Sequence, residues 1–197
     1  MADPLVLTFA EIGFLLRARP PSLASLAGEL RLPEADPATA AAGLASLAAR
    51  GLCEPVDGEL VPAASVQAVH AALCGADRVT RMLGWEGGRP VLAHLVTGPH
   101  LDVGLFPVGL GRFSVSPLDR ATPLGDQAAR FLDRHLAGAR GSAVLVRTTT
   151  ARRTASLAVA VDEHGAWFLS DSLTGDARTD PSSRDLAVAR LAELVGR

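Results

Sequence analysis

The sequence predicts an α+β protein: an N-terminal winged-helix-like region over residues 1–62, then an antiparallel sheet of about seven strands over residues 63–197, with helices packed on one face. Three observations carry this reading. Apolar residues recur at helical spacing in successive segments before Gly51, and the hairpin signal Asp57-Gly58 follows them. The period changes from helical to strand-like at Val79. The strand-like runs after it are joined by short, glycine-containing turns, which connect antiparallel neighbours. The two regions are read as one compact unit.

The first helix begins at Thr8, where Glu11 three residues later completes a capping box, and Phe9, Ile12, Leu15 and Leu16 form its apolar face. Arg19-Pro20-Pro21 ends it. Ser22 is expected to start a second helix with Leu23, Leu26 and Leu30 on one side. Asp36 caps a third, with Pro37 in its first turn and Ala41, Leu44, Leu47 and Ala48 facing inward as far as Arg50. Gly51 stops it. Asp57-Gly58 then turns a hairpin between short apolar runs. A fourth helix spans residues 63–73, with Val66, Val69 and Leu73 in register.

The strand-like runs are Val79–Trp85, Val91–Thr97, Leu101–Val108 and Arg112–Ser116. Leu101, Val103 and Leu105 are expected on one face. A helix over residues 125–136 carries Ala129, Leu132 and Leu136 on one stripe. The chain closes with Ser142–Thr148, Ala155–Val161 and Trp167–Asp171 as strands, and with a helix opened by Asp180-Pro181. Val159, mid-run with Leu157 and Val161, is expected in the core. Each half of the sheet is a meander followed by a helix.

The composition narrows the function classes. Hydrophobic residues make up 48% of the 197 residues, so a sizeable core can form, built mostly from Leu, Val and Ala because aromatics are only 4%. Lysine, asparagine and tyrosine are absent, and all 19 basic side chains are arginine. That bias fits a high-GC genome and points to an actinobacterium. The net charge of −2 argues against a polyanion partner. Two cysteines, Cys53 and Cys74, make no disulfide framework. The opening Met-Ala-Asp-Pro-Leu has no signal-peptide pattern, and no apolar run approaches the ~20 residues that span a bilayer. The expectation is a cytoplasmic protein.

No catalytic constellation is legible. The serines lack a Gly-x-Ser-x-Gly elbow, and Gly109-Leu-Gly111 is too short for a nucleotide fingerprint. His94 and His100 flank the Gly98-Pro99 turn without further ligands at zinc spacing. Neither catalytic residues, a metal nor a cofactor is expected, and the chain is read as a non-enzyme. A winged helix on DNA needs Arg, Lys, Asn or Gln aimed at bases and phosphates. Here the third helix holds no such donor before Arg50, and Glu54, Asp57 and Glu59 make the wing acidic. The most basic stretch is Arg147-Thr-Thr-Thr-Ala-Arg-Arg-Thr154. Arg147, Arg152 and Arg153 there could hold a phosphate or form a polar rim for an acidic partner, against the plainer reading of a solvated hairpin tip. Trp85 and Trp167 are sheet residues covering a core edge or, alternatively, partner anchors.

The opening Leu5-Val-Leu-Thr-Phe-Ala-Glu-Ile12, the helix ending Leu47-Ala-Ala-Arg-Gly-Leu52, the following helix and meander, and Ala166-Trp-Phe-Leu169 before a closing helix resemble the EspG family. These are the ESX (type VII) secretion-associated chaperones of actinobacteria. The resemblance covers most of the chain as a pattern. It implies two quasi-symmetric halves and a cytosolic role in binding helical secretion substrates. The family's members are usually longer, and this chain is short between the meander and the last hairpin. The expectation is a protein-binding adaptor, chaperone-like for type VII substrates, with a homodimer left open and no nucleic-acid or membrane partner. The alternative is a winged-helix transcription regulator whose sheet senses a ligand or dimerises.

Overall fold

A computed structural model describes residues 4–34, 36–56, 59–86, 89–136, 141–171 and 180–196. The fold is α+β, and the described residues form six helices, a nine-stranded sheet and a separate two-stranded hairpin. The elements are β1 (Leu5–Thr8), α1 (Phe9–Ala18), α2 (Leu26–Glu29), α3 (Pro37–Ala49), β2 (Cys53–Val56), β3 (Glu59–Pro62), α4 (Ala64–Cys74), β4 (Arg78–Glu86), β5 (Arg89–Thr97), β6 (Val103–Pro107) and β7 (Arg112–Pro117). There follow α5 (Leu124–Leu136), β8 (Ser142–Thr150), β9 (Thr154–Val161), β10 (Trp167–Ser170), β11 (Asp180–Ser182) and α6 (Arg184–Gly196). The large sheet runs β1-β7-β6-β5-β4-β8-β9-β10-β11. The helix-then-meander order occurs twice, as α4-β4-β5-β6-β7 and as α5-β8-β9-β10-β11. The chain divides into two compact units, Met1–Val79 with His94–Leu118 and Thr80–Ala93 with Asp119–Arg197.

In the first unit the capping box forms as expected. The Glu11 amide donates to Thr8 Oγ1 at 3.1 Å, and the Thr8 amide donates to Glu11 Oε2 at 2.7 Å. Ile12, Leu15 and Leu16 are buried and pack with Leu47, Leu73, Leu105 and Phe113. The buried stripe of α3 is Ala40, Gly43 and Leu47, and Ala41 is exposed. An apolarity count passes over Gly43, yet Gly43 is where α3 meets α1: a Cβ there would collide with the Ala10 carbonyl. The second helix is reduced to Leu26–Glu29, because Ser22 is held elsewhere. Its amide and hydroxyl both donate to the Cys74 carbonyl, at 2.9 and 3.0 Å. The hairpin β2–β3 forms, while its expected tip, Asp57-Gly58, lies outside the described residues, as does Gly87-Gly88 between β4 and β5. Leu101 precedes β6 and is exposed.

In the second unit Val144 pairs with Val159 and Val146 with Leu157, so their side chains share one face of β8 and β9. All four are buried, as the sequence predicts for Val159. Helices α5 and α6 pack on each other and on these strands through Ala128, Leu132, Leu136, Ala187, Leu191 and Val195. The buried alanine of α5 is Ala128 rather than Ala129. Thr80 and Thr148, both buried, are joined through their hydroxyls at 3.1 Å.

The two strands beyond the expected seven are the edges of the sheet, β1 and β11. Four and three residues long, they are too short for alternation to show. Asp180-Pro181 belongs to β11 rather than to the helix, a position where a proline is tolerated because one side of the strand has no neighbour. The closing helix instead starts after Ser183, whose hydroxyl accepts from the Leu186 amide at 3.2 Å. Among the described residues no helix is long and apolar enough to cross a membrane.

Candidate functional site: an arginine groove beside β9

The turn between β8 and β9 is built by Thr150. Its amide donates to the Arg153 carbonyl at 2.9 Å, and its hydroxyl accepts from the Arg152 and Arg153 amides at 3.3 and 3.2 Å. This self-bonded turn leaves Arg152 and Arg153 exposed. Arg147 lies in β8 directly opposite Ser156 of β9 and is also exposed.

Beside this hairpin lies an open groove of about 580 Å³. Arg147 and Arg153 line it from the hairpin, and Arg190 and Glu193 from α6. Asp171, just past the end of β10, also lines it. Arg190 Nη2 contacts both Asp171 carboxylate oxygens, at 3.2 and 2.9 Å, and its Nη1 lies 3.9 Å from Glu193. The Arg190–Asp171 pair is well exposed, at 46% and 71%. Such a pair contributes about 1 kcal/mol or less. Exchanging Asp171 for a carboxylate from another molecule therefore costs little. Among the described residues the lining holds three guanidiniums and two carboxylates, with the hydroxyls of Thr154 and Ser156 nearby. The described lining suits carboxylates: fork-shaped donors with hydroxyl donors beside them.

The five residues singled out from the sequence do not form one site. Arg147 and Arg153 come together in the groove, and Arg152 sits at the turn outside its lining. Trp167 is half-buried in β10, opposite Val161 and Ser182. Trp85 is half-buried in β4, and its carbonyl lies 2.9 Å from Nδ1 of the buried His135. Neither tryptophan lines the groove. Sequence reasoning missed Asp171, Arg190 and Glu193: the pairing of β10 with β9 carries Asp171 to the groove, and the docking of α6 against β9 brings Arg190 and Glu193 beside the hairpin. The one available signal was that Arg190 and Glu193 stand three apart on the polar side of α6.

The surface that would read DNA is occupied differently. Arg50, at the end of α3, is bonded to Glu11 and to the Val6 carbonyl. Asp36 accepts from the Thr39 amide at 2.7 Å, and that bond lowers its pKa. Glu54 and Glu59 are exposed, and Asp57 lies outside the described residues. His94 is buried edge-on to Phe113, with ring centroids 5.9 Å apart, whereas His100 is exposed. Burial raises the thiol pKa of both Cys53 and Cys74, which are free. Among the described residues no three His, Cys, Asp or Glu side chains gather into a metal-binding group. No protein-family model matches the chain. No curated protein matches it either.

Proposed function

We propose that this chain is a protein-binding adaptor that holds an acidic segment of its partner in the groove beside β9. The observation that carries this is the convergence of Arg147 and Arg153 from the hairpin with Arg190 from α6 on one open trough. Exposed guanidiniums steer and orient an acidic partner without any chemistry on it. The specific form we propose is a cytosolic chaperone for type VII secretion substrates, as the resemblance to the EspG family implies. The twofold occurrence of a helix followed by a four-stranded meander supports that form, because the resemblance implies two similar halves.

The experiment is capture of partners from the native lysate on immobilised protein, with identification of what is retained. Arg153→Glu, checked for an unchanged melting temperature, is run beside the wild type. The reading expects a protein retained by the wild type and lost or salt-weakened with the variant. Equal retention by both removes the groove from the function.

A further inference from the structure

The turn that joins β6 to β7 combines two unfavourable features at one residue. Leu110 is 93% exposed, and among the described residues no other large apolar side chain exceeds 50%. Its φ is +51°, in the left-handed region that suits glycine, asparagine and aspartate and strains a side chain of this size. The Arg112 amide donates to the Gly109 carbonyl at 3.1 Å, so Leu110 and Gly111 are the central residues of a tight turn, both with positive φ. Such turns favour Asn-Gly. Glycine or asparagine at position 110 would remove the strain and the exposed apolar surface together. So exposed a leucine gains almost nothing from its own fold.

The surrounding structure holds the turn in this shape. The Val108 amide donates to the Arg112 carbonyl at 3.0 Å, and the Phe9 amide donates to the Gly111 carbonyl at 2.8 Å. A Cβ on Gly111 would lie 3.4 Å from the Phe9 ring, so the turn rests against the start of α1. Phe106 and Val108, just before it, are exposed as well. The Phe106 ring lies over Gly104, where a Cβ would come within 2.8 Å of it. Three apolar side chains, Phe106, Val108 and Leu110, thus surround one fixed turn. Arg112 follows them, exposed and without a side-chain hydrogen bond among the described residues.

A projecting apolar tip is covered by an apolar cleft or by a bilayer, and charge decides between them. The chain's net charge of −2 gives no attraction to anionic headgroups, and one arginine at the tip is no basic cluster. Two clefts of the first unit could receive the tip of a second copy, but one is lined by Arg17 and the other by Arg19, which repel Arg112. A tip-to-cleft contact between identical chains also builds rings or fibres rather than a pair. We propose that the β6–β7 turn is a second partner-binding surface, in which Leu110 enters an apolar cleft of a different protein and Arg112 meets a carboxylate at the rim of that cleft. This surface lies in the first unit and does not depend on the groove beside β9.

The experiment places a photoreactive leucine isostere at position 110 of the full chain, in its native cell, and identifies what cross-links. The same isostere at Leu101, exposed at 41% in the same unit, is the control. The proposal expects a cross-link to one protein that position 101 does not give, at a segment with apolar residues and at least one Asp or Glu. That protein is then purified and titrated against the variants. Leu110→Asp should weaken binding about tenfold or more, and Arg112→Glu should weaken it and flatten its salt dependence. Leu110→Gly should also weaken binding yet melt no lower than the wild type, which a leucine serving its own fold would not allow. No cross-link from position 110, a cross-link to a second copy, a cross-link shared with position 101, or unchanged binding by Leu110→Asp overturns the proposal. Co-sedimentation with vesicles of phosphatidylcholine and phosphatidylglycerol that Leu110→Asp abolishes assigns the tip to a lipid surface and also overturns it. A lower melting temperature for Leu110→Gly does the same, because the leucine then belongs to the fold. None of these outcomes bears on Arg153→Glu, which tests the groove alone.

Discussion

Arg50 and Glu11 together close the outer edge of β1. Arg50 Nη1 lies 2.9 Å from both carboxylate oxygens of Glu11, and its Nη2 donates to the Val6 carbonyl at 2.7 Å. Glu11 in turn accepts from the Thr8 amide at 2.7 Å and from the Ser46 hydroxyl at 2.7 Å. β1 is the last strand of the sheet on that side. A carboxylate and a guanidinium thus meet a main-chain donor and an acceptor that a further strand would otherwise pair, which is one way an edge is kept from aggregating. The pair also ties the end of α3 to the start of α1.

Glu11 is fully buried, and burial alone would raise its pKa. The Thr8 amide, the Ser46 hydroxyl and the Arg50 guanidinium outweigh burial and hold the carboxyl below its ordinary value. A group with a depressed folded pKa stabilises the protein above its unfolded value, and that stability is lost as pH falls through the folded pKa. Glu11→Gln should therefore cost about 2 kcal/mol at neutral pH. The gap between wild type and variant should narrow as the pH drops below the ordinary carboxylate range. Denaturant melts at neutral and acid pH check this; a constant gap would mean that Glu11 carries no such linkage.

Gly43 should tolerate no side chain. Its Cβ position is occupied by the Ala10 carbonyl, which is backbone and cannot swing away. Gly43→Ala should destabilise by about 2 kcal/mol or more, although alanine is the better helix former. A melting temperature equal to wild type would show that α1 and α3 separate easily.

Val159 is fully buried and flanked across the strands by Val144 and Leu169. Val159→Asp places an unpaired carboxylate there and should cost about 4 kcal/mol or prevent folding. Unchanged thermal stability would contradict the register of β8, β9 and β10.

Arg50 also bears on the alternative of a DNA-binding regulator. It is the basic residue that ends α3, and it is engaged with Glu11 and Val6. No sequence-specific duplex binding is expected at physiological salt, only weak association at low salt. A mobility-shift titration in both salts checks this, and tight, sequence-dependent binding at ordinary salt would favour the regulator.

What was legible in the sequence was local. The Thr8–Glu11 capping box, the Asp36 cap and the strands around Val159 are each set by residues a few positions apart, and each formed. The edge strands were too short for their pattern to register, and Gly43 was invisible because its role lies in lacking a side chain. The groove was half legible. Arg147 and Arg153 share one hairpin and announced themselves as a basic run. Arg190 joins them through the packing of α6 by Leu191 and Val195, and Asp171 through the pairing of β10 with β9; no spacing in the chain encodes either. The same holds for Arg50, whose meaning depends on Glu11, 39 positions away.

The most direct test of the central claim is the salt dependence of binding between this protein and a partner captured by the wild type, compared with Arg153→Glu. An adaptor that holds an acidic segment in the groove should bind more weakly as salt rises, and the variant should bind more weakly and with a shallower salt slope while melting at the wild-type temperature. Identical affinity and identical salt slope in the two proteins would contradict it.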